Sequence, residues 1–369
     1  MMILGFLLVL GPLVTVHELG HYLVGRLFGV KAEAFSVGFG KELAGWTDKR
    51  GTRWKVSALP LGGYVKFKGD MDPASIPDAE ELAKIPEHER GDSFHHAPLW
   101  QRALIVFAGP AINLIVAVAI FAGFALLYGK PVPAAPGQET VIAAFAEESA
   151  ARDAGLLKGD RIVAIDGTAT GDFQDVVEKV MFYPGRTVDF TVERSSRTLT
   201  LPVTIASVMD TDRFGNTSKI GKIGVQSGLL ERVPVGPGEA VTRAVDQSVG
   251  IMRMMVLGIQ QIVTGERSVK ELGGPIKIAK YSGEQLSLGT AAFVWFVALI
   301  SINLAFINLL PIPALDGGHL AFYAVEAVRR KPAGAQATEY AYRVGIALVL
   351  MLMLFVTVND VVSLPVFSG

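Results

Sequence analysis

Hydrophobic residues run along this chain in four blocks, each close to or above the roughly 20 residues that a helix needs to cross a bilayer core. They are Met1–Leu27, Leu99–Tyr128, Thr290–Leu310 and Tyr342–Val362. Between the second and third blocks the pattern changes. Short runs, TVIAAF, DRIVAIDG, TVDFTVER, TLTLPVTI and KIGKIGVQ, are separated by turn residues and predict strands. SAARDAGL and DFQDVVEKVMF predict two short helices among them. Pro-rich stretches, KPVPAAPGQE at 130–139 and RVPVGPGEA farther on, bracket this unit as linkers. Beyond it, 238–289 turns amphipathic and Met-rich. That pattern suits a helix on a membrane surface and equally one packed on the soluble unit. Between the first two blocks, RWKVSALPLGGYVKFKG alternates apolar and polar residues around a proline and two glycines, which predicts a β-hairpin dipping toward the membrane or covering helix ends.

The expected fold class is therefore a polytopic α-helical membrane protein: four transmembrane helices, an inserted α+β domain and a β-hairpin. Its segments are 1–28 (first span), 29–98 (loop with hairpin), 99–128 (second span), 129–237 (linker and inserted domain), 238–289 (amphipathic segment), 290–319 (third span), 320–341 (loop) and 342–369 (fourth span and C-terminus). The first block has no basic leader and no small-residue cleavage site, so it reads as a retained span. Basic residues orient the spans. Arg26, Lys31, Lys41, Lys49, Arg50, Arg53, Lys55 and Arg102 flank the first loop, and Arg329, Arg330, Lys331 and Arg343 flank the last. With four spans both loops share a side, which the positive-inside bias makes cytoplasmic and the inserted domain extracytoplasmic.

Composition sharpens this. Half the residues are hydrophobic and the mean hydropathy is +0.41, which fits a lipid-bilayer protein with a soluble part. The net charge of −1 gives no reason to expect a nucleic-acid partner. There is no cysteine, so strong metal ligands must come from His, Asp and Glu.

The chemistry is concentrated in the first block, FLLVLGPLVTVHELGHYLVGR. His17 and His21 stand four residues apart, on one helix face, a spacing that lets two imidazoles hold one Zn2+ with Glu18 beside them as general base. Ionisable residues within a span are expensive and mark function more often than packing. A hydrolytic zinc site takes a third protein ligand. NLLPIPALDGGH (308–319) offers Asp316, His319 and Asn308 in a stretch broken by prolines and glycines, and spacing alone leaves Asp316 and His319 both open. His88, His95 and His96 lie in the polar loop and read as solvated.

HELGH in a first span, FSVGFG at 35–40, GPAIN at 109–113 and NLLPIPALDGGH together resemble the site-2 protease family of intramembrane zinc metalloproteases, and within it the bacterial RseP-like branch. SAARDAGLLKGDRIVAIDG resembles a circularly permuted PDZ domain. There is room for one such domain, where the best-known relatives of that branch carry two. The resemblance implies Zn2+ held by His17, His21 and Asp316, Glu18 as catalytic acid and base, and Asn308 holding substrate or oxyanion. It also implies single-span substrates of the anti-sigma-factor kind, cut after a first cleavage elsewhere, and residence in the bacterial inner membrane. The competing function is a PDZ-bearing membrane scaffold with a relic or structural metal site; an intact Glu18 speaks against it, since a structural site needs no base.

Overall fold

The computed structural model describes residues 1–69, 87–133, 137–211, 217–228, 230–265, 268–269, 272–331 and 334–362. In chain order, helix α1 (Met2–Leu27) leads into strands β1 (Ala32–Thr47) and β2 (Arg53–Phe67), then α2 (Leu99–Tyr128). Next come β3 (Lys130–Pro133), β4 (Ala144–Phe145), α3 (Ala150–Asp153), β5 (Arg161–Ile165), β6 (Thr168–Ala169) and α4 (Phe173–Met181). Then follow β7 (Thr187–Arg194), β8 (Arg197–Thr204), β9 (Ala206–Thr211), β10 (Thr217–Lys222), β11 (Val225–Gln226) and β12 (Leu230–Val233). Five helices close the chain: α5 (Pro237–Val263), α6 (Pro275–Ser287), α7 (Thr290–Leu309), α8 (Asp316–Arg329) and α9 (Ala335–Val362).

The chain divides into two compact units. The first holds Met1–Ala122, Val241–Met252 and Gly273–Gly369. Among the described residues, α1, α2, α7 and residues Thr338–Val362 of α9 are the helices long and apolar enough to cross a membrane, matching the four blocks. Apolar side chains of the helices do not by themselves distinguish a neighbouring helix from lipid, so close backbone approach and polar contacts join them. A Cβ on Gly20 of α1 would lie 2.5 Å from the Ala108 carbonyl oxygen of α2, so glycine is what lets these helices touch. Ser301 of α7 donates through Oγ to the Asn113 carbonyl of α2 at 2.7 Å. Asp360, buried in α9, accepts the backbone N–H groups of Gly274 and Lys277, each at 3.0 Å, and so caps the start of α6.

The third span stops sooner than its hydrophobicity. The helix ends at Leu309, and Leu310, which precedes Pro311, is extended with ψ 140°. Pro311 and Pro313 cannot donate to a helix ladder, and Ala314 takes φ 81° before α8 starts at Asp316. The Asp-Gly-Gly motif, expected at the end of the third span, thus opens a separate helix that runs on into the segment expected to be a loop. The amphipathic stretch is likewise two helices, α5 and α6.

The alternating segment 53–69 does not fold back on itself as the simple hairpin expected. Its partner is β1, joined to β2 by a turn in which Asp48 accepts the N–H groups of Arg50 and Thr52 and the Trp54 indole N–H. Those bonds, the indole's foremost, hold the Asp48 carboxyl below its ordinary range. Both strands bend. Residues 34–37 of β1 have partners on two sides, Gly63 to Lys66 and Arg53 to Val56, so Pro60 and the Gly62–Gly63 pair do mark a bend within β2. Tyr22, Phe35 and Trp54 pack this sheet against α1.

The second unit holds Gly123–Ala240 and Arg253–Leu272. Its four-stranded sheet has the order β6-β5-β7-β8. Along β7 the alternation is strict: Val188, Phe190 and Val192 are buried in a core that also takes Ile162, Val176, Val180, Val203 and Ile205, while Asp189 faces out. A two-residue turn, Ser195–Ser196, joins β7 to β8 with both residues at positive φ, the geometry that matches strand twist. Asp172 and Asp175 cap α4 reciprocally. The predicted strand KIGKIGVQ (219–226) is divided, its first part pairing with β9 and its last with β4. The start of the first Pro-rich linker pairs with the strand that leads into the second: β3 and β12 pair, with Lys130 opposite Val233, and Lys130 Nζ reaches Glu239 at 2.6 Å.

Asp160 is a buried charge in this unit, 1% exposed, with Arg194 donating to both carboxylate oxygens at 2.7 Å and the Leu157 N–H at 2.8 Å. Burial alone would raise its pKa; the Arg194 bonds outweigh that and hold the carboxyl below its ordinary range. Arg194→Ala should therefore leave a buried carboxylate short of partners and loosen the unit locally. Hydrogen exchange on the full-length protein should show β5 and β7 amides opening more often in the variant than in the wild type. A depressed carboxylate pKa stabilises above the unfolded value near 4 and ceases to as pH falls through the folded one, so the difference should shrink below about pH 4.

Candidate metal centre

The two histidines and the glutamate sit on the last turns of α1, where the 3.6-residue period points His17 and His21 to one side. His17 Nε2 and His21 Nε2 are 3.2 Å apart. Asp316, at the first position of α8, places Oδ2 at 3.1 Å from His17 Nε2 and 3.6 Å from His21 Nε2. All three residues come from the first unit, and among the described residues they are the one His/Asp/Glu group packed closely enough to hold a metal ion.

This triangle fits zinc. Nitrogen and oxygen ligands at about 2.0–2.1 Å in a tetrahedral shell stand about 3.3 Å from one another. Asp316 Oδ2 is buried and makes no hydrogen bond, despite an imidazole nitrogen 3.1 Å away. Lone-pair atoms gathered this tightly repel unless a cation stands among them. His319, the other candidate for third ligand, is turned elsewhere: its Nδ1 is 2.7 Å from the Tyr342 hydroxyl, although the ring still borders the cavity. His95 and His96 stay outside the cluster, and His96 Nδ1 is bonded to Ser93 Oγ at 3.1 Å; the His88 side chain lies outside the described residues.

A cavity of about 160 Å³ opens over the triad. Glu18 and Asn308 border it with His17, His21 and Asp316, so the structure gathers every residue that the sequence nominated. Glu18 Oε2 accepts the backbone N–H of Val65 at 3.0 Å. That N–H lies on the edge of β2 away from β1, and Val65 and Phe67 form one wall of the cavity. No sequence signal marks this contact, because a backbone donor carries no residue code.

α2 also lines the cavity, through Ile105 and Val106. His21 Nδ1 donates to the Ile105 carbonyl at 2.8 Å, and Asn113 Nδ2 stands 3.1 Å from His17 Nδ1. Between them Gly109 brings the α2 backbone so near that a Cβ would overlap His21 Nε2. Ile105, Gly109 and Asn113 are spaced by four, one stripe along the helix. Here a signal was present: an asparagine in the middle of an apolar span is as anomalous as a histidine there.

Comparison with known proteins agrees with this geometry. The profile of Peptidase family M50 matches residues 5–352. The "Putative zinc metalloprotease Atu1380" of Agrobacterium fabrum is 45% identical over 366 residues, covering 98% of this chain and 96% of its own. The "Metalloprotease MmpA" of Caulobacter vibrioides is 36% identical over 392 residues, covering 100% of this chain and 97% of its own. Among solved structures, a PDZ domain of an SdrC-like protein from Listeria monocytogenes aligns with 25% of this chain and 90% of its own at 19% identity; its TM-score of 0.20 is too low to carry an argument about fold. The His-His-Asp triangle, two of whose members sit on a helix fit to cross a membrane, agrees with relatives named zinc metalloproteases, and the chain belongs to peptidase family M50, the site-2 proteases.

Proposed function

We propose that this chain cuts peptide bonds within the membrane-spanning segments of single-span proteins, of the anti-sigma-factor kind, after a first cleavage elsewhere has shortened them. The observation that carries the reading is the depth of the site: His17 and His21 are buried within a helix long and apolar enough to span, beside an Asp316 that opens the helix after a second such span. A protease for soluble substrates has no reason to bear that desolvation.

The residues divide the work. His17, His21 and Asp316 would hold zinc, which when bound supplies a Lewis acid for activating water and polarising a carbonyl. Glu18, on the cavity wall beside them, takes a proton from water and returns it to the leaving amine. The Val65 N–H orients that carboxylate through one oxygen. Asn308, across the cavity, donates from its amide to the oxyanion or to a substrate carbonyl. A substrate helix must be unwound before attack, since its carbonyls are already bonded. The β2 edge beside Glu18 offers an unwound segment a strand to pair with.

In this reading the basic loops face the cytoplasm of a bacterial inner membrane, and the strand-rich unit, a PDZ domain, lies outside. It excludes bulky outer domains until another protease has trimmed them.

Three outcomes are expected. Glu18→Gln should keep zinc and lose on the order of 10³-fold in cleavage of a transmembrane peptide, since general acid–base catalysis is worth about 10²–10⁴-fold; cleavage near the wild-type rate would remove Glu18 from the chemistry and reopen the scaffold reading. Asp316→Ala should lower zinc content and activity sharply and His319→Ala much less, as measured by metal analysis of the purified variants. Replacing Thr140–Leu230 by a flexible linker should speed cleavage of an untrimmed substrate and leave a trimmed one unchanged; an untrimmed substrate that stays resistant would show that the unit is not the filter.

A further inference from the structure

Each of the two zinc-facing imidazoles has its other ring nitrogen held by α2. For His21 the partner decides the tautomer. A carbonyl oxygen only accepts, so the Ile105 bond of 2.8 Å puts the proton on Nδ1 and leaves Nε2 a lone pair for metal. For His17 the partner is an amide, which can present either end. Asn113 is fully buried, and its Oδ1 makes no hydrogen bond while Nδ2 lies 3.1 Å from His17 Nδ1. With the NH2 toward the ring, Nδ1 must accept, and the proton moves to Nε2, the atom 3.1 Å from Asp316 Oδ2. That arrangement blocks a ligand and orphans a buried oxygen together. Oxygen and nitrogen of the amide are nearly isosteric, and the hydrogen-bond network decides which faces the ring.

We infer that Asn113 is a positioning residue for the metal centre: its carbonyl oxygen accepts the His17 Nδ1–H, fixing the tautomer that frees Nε2 for zinc. The turned amide pairs Oδ1 with the ring, puts the NH2 in the place Oδ1 held, and gives both histidines the same arrangement, Nδ1–H to an α2 oxygen and Nε2 to the metal. Outer partners of this kind commonly orient metal-binding imidazoles. The placement is built in. Ser301 fixes the Asn113 backbone at 2.7 Å, and Gly109, one turn earlier, permits the approach. Asn113 touches neither substrate nor metal; it acts through His17.

The test is zinc affinity of the full-length protein in detergent, measured by chelator competition, which needs no proteolysis. Asn113→Leu, similar in size and without an acceptor, should bind zinc about 10–100-fold more weakly than wild type. Asn113→Asp, which accepts and cannot donate, should restore affinity close to wild type. In parallel, 15N-histidine spectra of the full-length wild type stripped of zinc should show His17 protonated on Nδ1, as Asn113 alone would impose; this readout decides the matter even if the leucine variant does not fold. Wild-type affinity in Asn113→Leu, an aspartate variant as weak as the leucine one, or a His17 proton on Nε2 would each overturn the proposal. It rests on the zinc reading of the triad, and a wild-type protein that binds no zinc would overturn that reading instead.

Discussion

Everything in the first unit is arranged around one electrostatic difficulty: three lone-pair atoms, all within 3.6 Å of one another, in surroundings fit for lipid. In water such a cluster would be solvated and cheap. In a helix bundle each donor must be aimed and backed by a partner, because nothing else screens it. The fold meets the requirement with backbone. Gly20 and Gly109 bring α1 and α2 into contact, the Ile105 carbonyl holds one imidazole, and the Val65 amide holds the neighbouring carboxylate. Hydrophobic side chains fill the remaining space and do not set the geometry.

The break before Asp316 serves the same end. An aspartate in mid-helix would point where the helix phase sends it, whereas one at the first position of a new helix is placed by the preceding turn. Pro311 and Pro313 end the ladder, Ala314 accepts a left-handed conformation at a cost on the order of 1 kcal/mol, and the carboxylate reaches the α1 histidines from the side. Strain of this kind is tolerated where surrounding structure fixes it.

Legibility in the sequence followed the type of signal. His17 and His21 were readable because helical spacing converts directly into a shared face. The four spans were readable because length and apolarity are local. Asp316 against His319 was not decidable from spacing, since the turn between the prolines and α8 sets which side chain faces α1; in the fold His319 pairs with Tyr342. The partner of segment 53–67 was missed because alternation reveals a strand and not its neighbour. Val65 acts through a backbone amide, which any residue except proline supplies. Asn113 was visible as a polar residue in a span, but its neighbour His17 is 96 positions away and only the fold joins them.

The β3–β12 pair has a consequence for how such chains diversify. Because β3 and β12 lie side by side, about 4.8 Å apart, the strands from β4 to β11 form a side branch that begins and ends at one place. A domain attached in this way can be exchanged, lost or duplicated without moving the points at which the chain departs and returns.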